Sequence, residues 1–344
     1  MKFQDKKTFI AIVLIIILIC LTIFIVFFRM NSNINNNNNI KLLKQNPMPK
    51  KVHLWVYVEE ESFWTDKMEF MYKPITLSLF SLINYAYPDI IVDYRHFGVN
   101  EFKDTYYDEI NPHDTLIKVG WASQLPYELL KSKNIYAIYF NTEAYTNGYT
   151  CDELWTYSRH LLKDYGKSHD TQIIKFVPII CEEKLPSVPY SLSKDDIKLV
   201  FLGKMDGYYF RDDKKHVIND NAYLKDKYME VYDLWDDETF NNFMKSEPRI
   251  FLSVIKDRTK ALPSVRINKL LSYKSIVISE HTNEFDEELY KDIVYFCDIN
   301  EIEGVFKNLR GKTGYELQTI ANERYNKFYN KFCCKNAVNL IEYK

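Results

Sequence analysis

The chain has 344 residues, 45 Lys+Arg against 47 Asp+Glu for a formal charge of −2, and 47% apolar residues. That is length for two ordinary domains and material for their cores, so global disorder is excluded, and the near-neutral balance leaves no electrostatic footprint for nucleic acid. With only 9 glycines beside 27 tyrosines, collagen-like, glycine-linker and multi-glycine nucleotide-loop readings are excluded too.

Lys2, Lys6 and Lys7 open the chain, and residues 9–28 (FIAIVLIIILICLTIFIVFF) then run without a charge. About 20 apolar residues at ~1.5 Å rise span a bilayer core of about 30 Å. The run exceeds the usual h-region of a signal peptide, and Phe27-Phe28-Arg29-Met30 offers no small-residue cleavage site. The expectation is an uncleaved anchor over 9–28 with a cytosolic tail at 1–8. The lysine bias gives type II topology, with the bulk of the chain on the far side. Residues 29–50 contain NSNINNNNN and read as an Asn-rich stem, with structured sequence starting near Lys51.

From there, short apolar runs alternate with helical patterns. Strands are predicted at 52–58, 90–94, 115–119, 137–140, 153–157 and 173–177. Helical spacing covers 63–85, where Pro74 is expected to kink or divide the helix, and also 127–131 and 159–165. Residues 184–194 hold Pro186, Pro189 and several serines and read as a linker. A second series follows, with strands at 197–202, 230–234, 249–255, 275–279 and 293–296 and helices at 264–273, 301–309 and 315–332. Alternation of this kind argues for two open parallel sheets, one in 51–190 and one in 191–344. Ligands of such sheets bind at the carboxyl ends of the strands, so the loops after strands are the places to search.

Five cysteines lie outside the apolar run. None has zinc spacing; Cys151 and Cys181 could pair in a lumenal domain, but buried, inert thiols are the expected reading. There is no Asp-x-Asp triplet, no Gly-x-Ser-x-Gly elbow and no HExxH.

Four places can carry chemistry. Gly203 ends the strand IKLVFL, with Lys204, Gly207 and Arg211 after it; a glycine there lets backbone approach a phosphate or sugar, although a simple turn reads the same way. Lys256, Arg258 and Lys260 follow the strand ending at Ile255, and Ser264 then opens a helix as its expected N-cap. The first turn of that helix offers free N–H groups and a positive dipole end, and Arg266 adds a planar fork suited to phosphate. Ile267, Leu270 and Leu271 take the core side by spacing, which turns Asn268 and Lys269 off it and makes Asn268 a candidate donor contact. Glu280 ends the strand SIVIS, where a carboxylate can hold ribose hydroxyls. In the first half Glu143 follows the strand AIYF, placed to act as a base toward an acceptor hydroxyl or to brace its loop.

These residues carry a resemblance. The stretch FNTEAY…DELWTYSRHLLKDYG…IIKFVPII over 140–178 resembles the first domain of two-domain glycosyltransferases of the GT-B, group 1-like type, in which N/Q-x-E follows a strand, then D-x-[IL]-W-x-Y-S, then a V-P strand end. In the second half IKLVFLGKM is similar to the group's VLFLG strand and loop, and IFLSVIKD with LPSVRINKLLSYKSIVISE is similar to its most specific block. The similarity spans roughly 134–300. It implies two facing Rossmann-like domains, an α/β GT-B fold behind the single transmembrane helix, and metal-independent transfer from a nucleotide-sugar donor held by 191–344. It further implies that Ser264, Arg266 and Lys256 contact the diphosphate, that Gly203 and Lys204 line the donor, and that Glu280 touches its nucleoside or sugar. The chain has Lys256 where the group usually has histidine, and Lys269 where it often has glutamate. The implied partners are a nucleotide sugar, a glycan or protein acceptor and the membrane, in the lumen of the endoplasmic reticulum or Golgi. The rival expectations are a catalytically degenerate GT-B shell acting as a membrane-tethered scaffold, and a surface protein whose tyrosines bind glycans.

Overall fold

The computed structural model describes residues 42–43, 45, 47–57, 67–98, 101–120, 124–142, 149–168, 173–181, 185–192, 197–203, 205, 212–255 and 260–344. The expected anchor at 9–28 lies outside them, and no helix among the described residues is long and apolar enough to cross a membrane.

The β-branched and aromatic runs become strands because helices on both sides cover them. Seven strands form the first sheet: β1 (Lys51–Val56), β2 (Ile91–His96), β3 (Thr115–Gly120), β4 (Tyr136–Asn141), β5 (Glu153–Thr156), β6 (Ile173–Phe176) and β12 (Glu342–Tyr343). Their order is β12-β6-β5-β4-β3-β1-β2. All pairs are parallel except β12 with β6. The second sheet, ordered β11-β10-β9-β7-β8, is wholly parallel: β7 (Lys198–Leu202), β8 (Tyr228–Val231), β9 (Arg249–Ser253), β10 (Ile276–Glu280) and β11 (Tyr295–Cys297). Every residue of β3 and β9 is buried, as central parallel strands require. The helices are α1 (Met68–Ala86), α2 (Tyr127–Ser132), α3 (Arg159–Ser168), α4 (Asp212–Asn219), α5 (Asp237–Ser246), α6 (Ser264–Ser272), α7 (Glu284–Tyr290), α8 (Ile302–Arg310), α9 (Gly314–Phe332) and α10 (Cys334–Ala337).

Several expectations are corrected. Structured chain starts before Lys51: Leu42 and Leu43 are buried, the Lys175 ammonium donates to the Leu42 carbonyl at 2.7 Å, and the Leu43 N–H donates to the Tyr87 hydroxyl at 3.0 Å. Pro74 does not divide α1. Its ring costs the helix one N–H donor, but the hydroxyls of Thr76 and Ser78 bond back to nearby carbonyls, Ser78 to Pro74 itself at 2.6 Å. The strand expected at 230–234 is Tyr228–Val231. The linker is pinned to the second sheet. Tyr190 is buried, donates to the Arg249 carbonyl at 2.5 Å and accepts from the Ile276 N–H at 3.0 Å. The end of the chain departs from the expected division at 191, because β12 returns to the first sheet. Cys151 and Cys181 form no disulfide and are buried, in agreement with the inert-thiol expectation, and desolvation pushes Cys151 up to about 12.

Candidate active site

The strand ends of the second sheet bring the predicted residues together on β7, β9 and β10, which are neighbours. Gly203 follows β7 with φ +142, and a Cβ there would meet the Phe201 ring at 3.1 Å, so glycine is needed at this point. Its N–H donates to the Val231 carbonyl at 2.8 Å, and two residues on the Met205 N–H donates to the Glu230 carboxylate at 3.1 Å.

Helix α6 begins at its expected cap, one residue earlier than a capping Ser264 predicts. Pro263 occupies the cap position, and the Ser264 N–H turns back to the Leu262 carbonyl at 2.7 Å. The Ser264 hydroxyl therefore does no capping. It is buried against the Tyr290 hydroxyl, whereas the Ser253 hydroxyl at the end of β9 is buried with no hydrogen-bond partner among the described residues. An orphaned hydroxyl at a strand end, with a helix amino terminus following in the chain, is a donor an anion would satisfy. Arg266 is exposed on the outer side of the first turn, with its guanidinium 5.7 Å from the Phe201 ring. Although open to solvent, it has enough protein around it that desolvation draws its pKa below the ordinary value.

Asn268 is not turned outward. It shares a helix face with Ser264, Leu271 and Ser272, and all four are buried. Its amide donates to the Ile179 carbonyl at 2.7 Å, and its oxygen accepts from the Tyr290 hydroxyl at 2.7 Å. The satisfied amide explains how a polar residue occupies the core, and it is committed to the fold rather than aimed at the strand ends. Lys269 lies 3.6 Å from the Asp237 carboxylate and 3.6 Å from the centre of the Phe70 ring.

Glu280 ends β10 and is gripped from two sides. It accepts from the Ile255 N–H at 3.0 Å, and both its oxygens lie 2.9 Å from the Lys214 ammonium. Lys214 also donates to the Ile255 carbonyl at 2.8 Å. Sequence reading missed Lys214, because its helix (DDKKHVIN) has no apolar period to place it. The usable signal was its acidic and basic run in the loop after Gly203. His281, next in line, pairs with Glu287 at 3.1 Å. Glu143, Lys204 and Lys256 lie outside the described residues. Among the described residues no group of His, Cys, Asp or Glu is arranged to hold a metal ion.

Chemically, a helix amino terminus, an unpartnered hydroxyl and the Arg266 guanidinium suit an anion with several oxygens, and Glu280 with its acceptor oxygens suits a polyol or a ribose.

No protein-family model matches the sequence, and no curated protein matches it. Solved structures are similar in fold. HepE from Anabaena in complex with UDP-glucose aligns at a TM-score of 0.50 and 9% identity, covering 84% of this chain and 97% of that one. The lipopolysaccharide outer core galactosyltransferase WaaB, in its apo form, aligns at 0.46 and 11% identity, covering 84% and 98%. TarM aligns at 0.45 and 9% identity, covering 67% and 54%. The chain thus spans about half the length of TarM, and 57% of the GtfA/B chain it matches. The likeness to HepE is one of fold: two Rossmann-like α/β halves in the GT-B arrangement.

Proposed function

We propose that the chain is a glycosyltransferase that moves a sugar from a nucleotide-diphosphate donor to a hydroxyl of a glycan or protein. The carrying observation is the amino terminus of α6, with Arg266 exposed in its first turn and the orphaned hydroxyl of Ser253 at the end of β9. HepE, similar in fold, was solved with UDP-glucose. In this reading the helix terminus, Arg266 and Lys256 stabilise the charge that develops on the leaving diphosphate, with no metal required. Gly203 and Lys204 line the donor, Glu280 and Lys214 face its nucleoside or sugar, and Glu143 takes the proton of the acceptor hydroxyl. Residues 9–28 anchor the protein as a single-pass type II membrane protein, with the body in the lumen of the endoplasmic reticulum or Golgi.

The test is calorimetric titration of the full-length chain with UDP and GDP, followed by a screen of nucleotide sugars for hydrolysis and transfer. Charge-assisted bonds to a diphosphate predict that Arg266→Ala weakens nucleotide binding by roughly ten- to a hundredfold while the melting temperature holds. A chain that binds no nucleoside diphosphate sinks the proposal. Binding without turnover of any donor points instead to the degenerate, scaffold reading. The lysine at 269 favours that reading, since its ammonium is engaged by Asp237 and Phe70.

A further inference from the structure

Asp286 sits in α7 of the second lobe and is buried. Its Oδ1 accepts from the Arg159 N–H at 3.0 Å, and its Oδ2 accepts from the Ser158 hydroxyl at 2.7 Å. Both donors belong to the start of α3 in the first lobe, where the Ser158 hydroxyl also accepts from the Leu161 N–H at 3.4 Å. A carboxylate suits that place, because a helix amino terminus presents free N–H groups and the positive end of its dipole. The same Oδ2 accepts from the Leu262 N–H at 3.1 Å and from the Asn283 amide at 2.9 Å. Leu262 in turn accepts the Ser264 N–H, and Asn283 holds the Lys260 carbonyl at 2.7 Å.

One buried carboxylate is therefore bonded both to the first helix turn of one lobe and to the turn that begins α6 in the other. If the lobes separate, Asp286 loses two of its four donors, and a buried charge with missing donors is costly. Its remaining bonds, including the one to Leu262, must then rearrange or admit water. We propose that Asp286 is a positioning residue that makes the conformation of the α6 amino terminus depend on docking of the first lobe. The consequence for donor binding rests on the proposed function; the coupling itself does not.

The test is amide hydrogen exchange on the full-length chain, comparing wild type with Ser158→Ala and Asp286→Asn. Ser158→Ala changes a residue of the first lobe and removes one bond to Asp286. Loss of one buried charge-assisted bond predicts exchange faster by roughly tenfold at Arg159 and also, across the lobe boundary, at Leu262 and Ser264. Ser158→Thr, which keeps the hydroxyl, is expected to restore wild-type rates. Asp286→Asn is expected to speed exchange further at both places, and should it fail to fold, Ser158→Ala decides alone. A wild-type rate at Leu262 in Ser158→Ala overturns the proposal, whatever happens at Arg159. With UDP as the probe, Ser158→Ala is expected to weaken binding severalfold. UDP that binds the wild type and Ser158→Ala equally overturns the positioning role, whereas UDP that binds neither refutes the donor reading and leaves the exchange result to judge the coupling.

Discussion

Two lysine–glutamate pairs, one in each lobe, have opposite surroundings. In the first sheet Lys175 and Glu153 lie 2.6 Å apart, and both side chains are 0% exposed. Protein groups close around both: Glu153 accepts from the Trp155 indole at 2.7 Å and the Tyr136 hydroxyl at 2.9 Å, and Lys175 donates to the Leu42 carbonyl. In the second sheet Lys214 and Glu280 also pair closely, but at a strand's carboxyl end, with side chains 12% and 15% exposed. The first pair has no face left for a ligand. The second can exchange partners with one. Residue type does not distinguish scaffold from site here; position along a parallel strand and access to solvent do.

The largest expected effect comes from breaking the sealed pair. Lys175→Met leaves the Glu153 carboxylate buried without its counter-charge, which costs about 3–5 kcal/mol. Urea unfolding should register that loss as a lower midpoint, and the double variant Glu153→Leu with Lys175→Met should recover most of it, since a buried ion pair replaced whole by apolar side chains is often neutral. A single variant as stable as wild type would mean that Glu153 finds other donors, and the pair would not be the scaffold described above.

Much of this was legible in the sequence, and the exceptions have physical reasons. Strands such as IKLVFL and the helix SVRINKLLS announce themselves through apolar runs and helical spacing, because burial on two faces or one stripe needs those patterns. Gly203 and Glu280 could be placed at strand ends, and Arg266 in the first turn of its helix, by counting from those elements. Lys214 could not, because helix Asp212–Asn219 carries almost no apolar residues and only the fold brings it beside Glu280. Asn268 was misplaced because a polar residue reads as outward until its partners, Ile179 and Tyr290, are known. The docking of Leu42 and Leu43 was hidden for a similar reason: two leucines between an asparagine tract and Lys44 make no period, and their burial depends on Tyr87 and Lys175, more than forty residues away.

A smaller effect on stability, with a larger one on binding, is expected at the open pair. Lys214→Met should cost roughly 1–2 kcal/mol, between the values for exposed and sealed pairs. Calorimetry with UDP should find affinity reduced by roughly tenfold, because Glu280, proposed to face the nucleoside, is left unneutralised and without its positioning partner. If Lys214→Met destabilises the protein as strongly as Lys175→Met and leaves UDP binding intact, the two pairs are equivalent scaffold and the contrast between them collapses.

The smallest effect lies on the scaffold side and depends on pH. His53 in β1 is buried, with Nδ1 3.1 Å from Asp93 and Nε2 3.4 Å from Asp114; Lys51 and Arg95 also surround Asp93, each at 3.2 Å. Desolvation, with Lys51 next, holds the imidazole pKa below its ordinary 6.5 against the pull of the two aspartates. The unfolded chain therefore takes up a proton as pH falls through about 6.5, while the folded chain resists until lower pH. Stability from this group is complete above that point and declines below it, so the urea midpoint should fall between pH 7.5 and 5.5. His53→Gln should flatten that slope without changing UDP affinity per folded molecule, because His53 lies away from the strand ends that carry the proposed site. An unchanged slope in His53→Gln would assign the acid sensitivity to another group, and a change in UDP affinity would tie the amino-terminal half of the first sheet to the site after all.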